Sequence, residues 1–229
     1  MRGNRPDFSD YVAHFCKDAR PYGESEGAEN EVYSKIPASA FDRLVGILQS
    51  KTVYATNMPW TGAKAVCLTE CPWWSFPSHC DAYSAYGVGF AKPRIFATGG
   101  GPALYVKPDL FTKQGEFIHQ EDCDIEKPRK GFHSHVYSFI TPFLPGYAPK
   151  AYRDAHWENK STCDYSHERE WRVPYDFKFE YDQVEFVVLA TYEDMARFPK
   201  DLKDAIGREK FLLMEMYHQI ERLWPTHIV

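Results

Sequence analysis

The sequence predicts an α+β fold, and three observations carry that prediction. The β-prone runs are short and scattered: YVAHFCK at 11–17, Ala65–Thr69, Gly87–Phe90, Ala103–Val106 and Val184–Ala190. Helical periodicity is concentrated near the N- and C-terminal parts, after Ser39 and again from Leu202. No repeat and no low-complexity linker divides the chain, so residues 1–229 are expected to form one domain.

Each element has a local reason. The run 11–17 mixes apolar and polar residues and suits a first strand. Residues 19–37 are acidic and glycine-containing and read as a surface loop. Ser39 is placed to cap a helix over AFDRLVGILQSK, where Phe41, Leu44, Val45 and Leu48 recur at helical spacing. Lys51–Ala55 and Ala65–Thr69 read as strands, and 72–83 as a loop rich in Trp and Pro. Gly87–Phe90 continues as strand, Gly99–Gly101 as a hairpin turn, and Ala103–Val106 as strand again. HVYSFITPFL fits either a buried helix or a strand. HEREWRVP and the alternating run that follows supply strands, the last over Val184–Ala190. Thr191 caps a helix over YEDMARF. Leu202, Ile206, Phe211, Leu212, Met216, Ile220 and Leu223 predict a C-terminal amphipathic helix over about 200–224.

Composition removes several function classes. With 44% hydrophobic, 16% aromatic and 26% charged residues, the chain is too apolar for disorder. No apolar run reaches the roughly 18 residues of a membrane helix. The start, MRGNRPDFSDYV, lacks the apolar stretch of a signal peptide, so a cytoplasmic protein with reduced thiols is expected. A formal net charge of -5 excludes a uniformly basic surface, so any nucleic-acid contact must be local.

One such locality exists. Residues 127–153 carry Lys127, Arg129, Lys130, Lys150 and Arg153 and no acid, interleaved with Phe132, Tyr137, Phe139, Phe143, Tyr147 and Tyr152. Cations for phosphates and rings for bases are what a single-stranded nucleic-acid surface uses. The competing reading makes the rings core and the cations a solvated rim.

The chemistry-bearing candidates are few. On a strand, Glu168, Glu170 and Arg172 would share one face, and a carboxylate beside a guanidinium stays ionised. The plain alternative is a surface ion-pair cluster on an edge strand. His14 sits mid-strand and projects opposite to Ala13 and Phe15. It is either a ligand donor or a satisfied histidine. Tyr86 precedes Gly87 and Gly89, which permit close approach of a ligand, with Lys92 and Arg94 available to a phosphate; the plain alternative is an ordinary turn with packing aromatics. Thr69 ends its strand with a hydroxyl, beside Glu70. Walker, Rossmann, GxSxG and HExxH signatures are missing from the sequence. Cys67, Cys71, His79 and Cys80 lack the tight pairing of zinc knuckles, and His133 and His135 have no third ligand at a telling spacing. No metal site is expected.

Taken in order, the HF strand, the helix ending in L-x-x-I-L-x-S, VCLTE, YGVGF followed by Lys92, GPALYV and EREWR resemble the abortive-infection AbiGi-like group. More loosely, they resemble the ADP-ribosyltransferase fold of DarT-like toxins, in its H-Y-E class. The resemblance spans roughly residues 11–190. It implies a split mixed β-sheet core with flanking helices, and NAD as substrate. It further implies that His14 binds the NAD ribose, Tyr86 stacks on nicotinamide and Glu170 stabilises the oxocarbenium-like transition state. Thr69, Lys92, Arg94 and Arg172 would assist in binding the cofactor. DarT proteins carry other residues in the place of His14, so that position fits the H-Y-E class alone. The implied reaction moves ADP-ribose to RNA or DNA, with a cognate antitoxin or chaperone as partner. AbiGi-like proteins have also been labelled antitoxins, which implies the alternative of a non-catalytic antitoxin or phage-sensing protein. A metal-dependent hydrolase ranks last, because the carboxylates lack nuclease-like spacing.

Overall fold

The computed structural model describes residues 8–18, 39–58, 61–70, 79–80, 83–107, 135–143 and 164–217. In chain order the elements begin with β1 (Tyr11–Phe15), α1 (Ala40–Ser50), β2 (Thr52–Val53), β3 (Thr56–Asn57) and β4 (Lys64–Thr69). Next come β5 (Gly87–Ala91), α2 (Lys92–Ala97), β6 (Gly101–Pro102), β7 (Leu104–Val106) and β8 (Ile140–Pro142). The order closes with β9 (Glu170–Val173), β10 (Phe177–Lys178), β11 (Val184–Leu189), α3 (Tyr192–Arg197), α4 (Lys200–Ile206) and β12 (Phe211–Leu213). The fold is therefore α+β. The chain divides into two compact units, one of residues 1–52, 71–92 and 178–229, the other of 53–70 and 93–177.

The first unit is built on the strand order β12-β11-β5-β1. β1 and β11 both run antiparallel to β5, while β12 runs parallel to β11. The pairing of His14 with Val88 and of Ala13 with Gly89 divides the side chains between two faces. Ala13, Phe15, Phe186 and Val188 form one face with Cys80 and Met214. His14, half-buried, projects from the other, as its place mid-strand requires. α1 starts where Ser39 accepts the Asp42 N–H, 3.1 Å away, and ends at Lys51 in the left-handed region. Its buried Phe41, Leu44 and Leu48 follow the helical spacing of the sequence.

The second unit carries the order β4-β9-β6, with β3 paired to β4, and a separate two-stranded ribbon of β7 and β8. Val66, Leu68 and Val173 are buried on one side of the sheet. Cys67 lies opposite Arg172, and Thr69 opposite Glu170, so these four project from the other side.

Several expectations are corrected. The C-terminal helix over 200–224 is broken: Gly207, at φ 103°, ends α4, and 211–213 form a strand. The apolar recurrence is shared by a helix and a strand, and β-prone Phe-Leu-Leu packs in the sheet. Gly99–Gly101 is not a hairpin turn. Gly99, at φ 83°, closes α2, with its N–H on the Phe96 carbonyl and the Gly100 N–H on Ile95. Glu168 is not on the strand with Glu170. It sits in a 3-10 turn, and Arg169, at φ 44°, redirects the chain between them. The loop read over 19–37 and most of that over 72–83 lie outside the described residues.

Gly89 is required for space. A Cβ there would stand 2.2 Å from Cζ of Phe186, whose ring lies across the glycine. Gly89→Ala is expected to lower unfolding free energy by about 1–3 kcal/mol through overpacking. Urea denaturation checks this through a lower midpoint at unchanged slope.

Candidate functional site

The polar face of the second unit holds Glu170. β9 lies between β4 and β6, so Glu170 is on an interior strand and 9% exposed. Arg172, two residues on, is fully buried at 0%. Its Nη2 donates to Glu170 Oε2 at 2.7 Å and to Thr141 Oγ1 at 2.6 Å. Its Nη1 donates to the carbonyls of Ser138, at 3.2 Å, and Ile140, at 2.9 Å. The Thr141 hydroxyl donates in turn to Glu170 Oε2, 3.4 Å away. The Glu170 N–H donates to the Tyr105 hydroxyl at 3.3 Å, and that hydroxyl donates to the Tyr165 carbonyl at 2.9 Å.

Electrostatics follow from this burial. Desolvation alone would push the Arg172 pKa down, but Glu170 beside it holds it above the ordinary value. Desolvation, with the charge of Glu170 adding, raises the Tyr105 hydroxyl. The same two causes push the Cys67 thiol up to about 12. The Cys67 sulfur lies 3.8 Å from the Met58 sulfur. Thr69, opposite Glu170, is buried.

The first unit holds Tyr86 and His14. The Tyr86 hydroxyl donates to Asp194 Oδ2 at 3.0 Å, and its ring meets Phe41 edge-on at 5.8 Å. Asp194 closes a capping box with Thr191 at the start of α3, and Arg197 donates to its Oδ1 from Nε and Nη2. The Arg197 guanidinium also lies over the Phe41 ring at 3.8 Å. Burial would raise the Asp194 pKa, but hydrogen bonds from Thr191, Arg197 and Tyr86 outweigh it and leave the carboxyl below its ordinary value. Asp194 is the residue that sequence reading missed. The Thr191-x-x-Asp194 spacing was the signal for it, as a carboxylate-based variant of the capping box.

His14 and Tyr86 thus belong to the first unit and Glu170 to the second. Lys92 is buried, with its ammonium 3.9 Å from the Phe8 ring centroid. Arg94 belongs to the second unit and is half-buried. Gly87 and Gly89 accommodate protein rings, those of Phe15 and Phe186, as the packing alternative expects. Lys127, Arg129, Lys130, Lys150 and Arg153 lie outside the described residues, as does His133. Among the described residues no three His, Cys, Asp or Glu are grouped to hold a metal, and no helix is long and apolar enough to cross a membrane. His79 stacks on Tyr83 at 4.5 Å, and Cys80 packs in the apolar face beside Phe15.

Two outcomes test these networks. Arg172→Met, which leaves Glu170 buried without its partner, is expected to cost about 3–5 kcal/mol. Adding Glu170→Met should recover part of that loss, because the uncompensated charge goes with it. A double-mutant cycle by chemical denaturation reads the coupling, and strict additivity would show the pair to be uncoupled. For Asp194 the depressed pKa stabilises the fold above the unfolded carboxyl value and is lost as pH falls through the folded value. Thr191→Ala should therefore cost about 1 kcal/mol at neutral pH. It should also move the acid-unfolding midpoint, followed by circular dichroism, to higher pH.

No curated protein and no solved structure matches the chain. The ADP-ribosyltransferase likeness accordingly rests on the order of short motifs alone. A family model described as "Putative abortive phage resistance protein AbiGi, antitoxin" matches residues 49–205. That match takes in the whole second unit and well over half of the 229 residues, and on it the chain belongs to the AbiGi family of abortive phage resistance.

Proposed function

We propose that this chain is a non-catalytic antitoxin of an abortive-infection system, acting by binding a cognate toxin. The observation that supports this reading best is the state of Glu170. The carboxylate most suited to catalysis is buried, and Arg172 and Thr141 both hydrogen-bond its Oε2. A general base or transition-state stabiliser must reach the reacting atoms. A buried, paired carboxylate instead serves packing and orientation. The Tyr86 hydroxyl is likewise engaged, on Asp194. The family description supplies the antitoxin role and, with it, a toxin as partner.

The second reading keeps the activity that the H-Y-E order implied, with NAD as substrate and RNA or DNA as acceptor. It is favoured by one observation: Glu170, Arg172 and Thr69 do share one face of the β4-β9 pair. Here Glu170 would stabilise positive charge on the ribose as the nicotinamide bond breaks.

One experiment separates the two. The full chain is expressed with its toxin and growth is measured, and the purified chain is incubated with labelled NAD and RNA or DNA. Rescue of growth, undiminished in Glu170→Gln and without label transfer, is expected. Label transfer that disappears in Glu170→Gln would overturn the antitoxin reading in favour of the transferase.

A further inference from the structure

Four arginines of the described residues each meet a carboxylate. Arg169 lies 3.6 Å from Glu70, Arg172 2.7 Å from Glu170, Arg197 2.6 Å from Asp194 and Arg208 2.7 Å from Asp204. Arg94, on α2, meets none. It is half-buried, and its Nε is closed off from solvent with no acceptor. Among the described residues its side chain has no hydrogen-bond or ion-pair partner. A donor shut away from water without an acceptor is a cost to the fold. Because no such bond holds the guanidinium, it can turn toward an arriving acceptor without breaking one.

α2 also turns apolar surface outward. Ile95 is fully buried, whereas Pro93, Phe96 and Ala97 are exposed, Phe96 at 68%. With Ile95 inward, helical spacing puts Arg94 and Phe96 on the two flanks of the ridge formed by Pro93 and Ala97. Tyr175, 44% exposed, extends this face beyond the helix: its hydroxyl stands 2.7 Å from where a Gly99 Cβ would be. All these residues belong to the second unit, which lies wholly inside the stretch that the AbiGi family model matches.

One exposed phenylalanine is ordinary. An exposed ring beside a guanidinium that lacks an anion has the composition of an interface hot spot. The planar fork of arginine fits a carboxylate with two parallel bonds. A small anion would satisfy Arg94 but leave Phe96 and Tyr175 in water, whereas a protein partner covers all three. We propose that the outer face of α2 is where this chain binds its toxin, with Phe96 set against apolar surface of the toxin and Arg94 on a toxin carboxylate beside it. The inference rests on the antitoxin reading and names the surface through which it acts.

The full chain is co-expressed with the tagged toxin, growth is measured, and the affinity of the purified pair is read by calorimetry. Arg94→Met and Phe96→Ala are each expected to weaken the complex about thirtyfold, the size of an interface hot spot, and to lose growth rescue. The urea midpoint of Arg94→Met should stay at or above that of the wild type, since no bond of the fold is removed. Added salt should weaken the wild-type complex more than that of Arg94→Met, as an ion pair requires. Variants that bind and rescue as well as the wild type would overturn the proposal and leave the antitoxin reading in place. A lowered urea midpoint in Arg94→Met would assign Arg94 to the fold and overturn it too, and equal salt dependence would remove the carboxylate from it. A wild-type chain that neither binds the toxin nor rescues growth would overturn the antitoxin reading itself, and this surface with it.

Discussion

A guanidinium with no solvent exposure sets the terms for the second unit. Placing a charge in a low-dielectric interior costs several kcal/mol unless it is paired and hydrogen-bonded. Arg172 is accommodated by one carboxylate, one hydroxyl and two main-chain carbonyls. Those acceptors come from two places in the sequence, β9 itself and residues 138–141. The charge therefore does more than neutralise Glu170. It specifies which segment lies over that face of the sheet and in what register, since carbonyls shifted by one residue would point elsewhere. An apolar residue could match the volume but not that selectivity.

The first unit uses a different kind of constraint. Asp194 is the N3 residue of a short helix, yet it also accepts from a tyrosine on the approach to β5 and pairs with Arg197 in the last turn. A helix of this length has little intrinsic stability in water. Its capping carboxylate ties it to the sheet, and the stack of Arg197 on Phe41 ties it to α1. Residues with polar ends and apolar bodies thus do the joining where a larger core would otherwise be needed.

Much of the fold was legible in the sequence because local signals agreed with tertiary demand. Ser39 and Thr191 cap helices as their chemistry dictates, and β1, β4, β5 and β11 follow short β-prone runs. The failures occurred where backbone conformation, invisible in residue type, decided the outcome. Arg169 in the left-handed region removes Glu168 from the strand face, and a non-glycine residue gives no warning of that. Gly207 does give a warning, but the apolar recurrence beyond it has a helical period by coincidence. The site was partly legible. The pairing of Glu170 with Arg172 was readable from their spacing, whereas their burial depends on residues some thirty positions earlier, which no local pattern reveals. For the same reason two readings stood side by side at Gly87 and Gly89: spacing cannot tell whether a ring from a ligand or a ring from the protein occupies the space a side chain would fill.

The division of the chain has a consequence for its synthesis. All residues of the second unit lie between 53 and 177, enclosed within the first unit's sequence. On the ribosome its strands are complete before β11 and β12 exist, so it can close while the chain is still being made. The first unit cannot. β1 emerges first but finds its partner β5 only at residues 87–91, and β5 lacks its second neighbour until residues 184–188. For most of translation, β1 and then β5 are apolar strands with unpaired edges, the condition under which nascent chains recruit chaperones or aggregate. A chain cut short before β11 would hold every strand of the order β4-β9-β6 but only β1 and β5 of the order β12-β11-β5-β1.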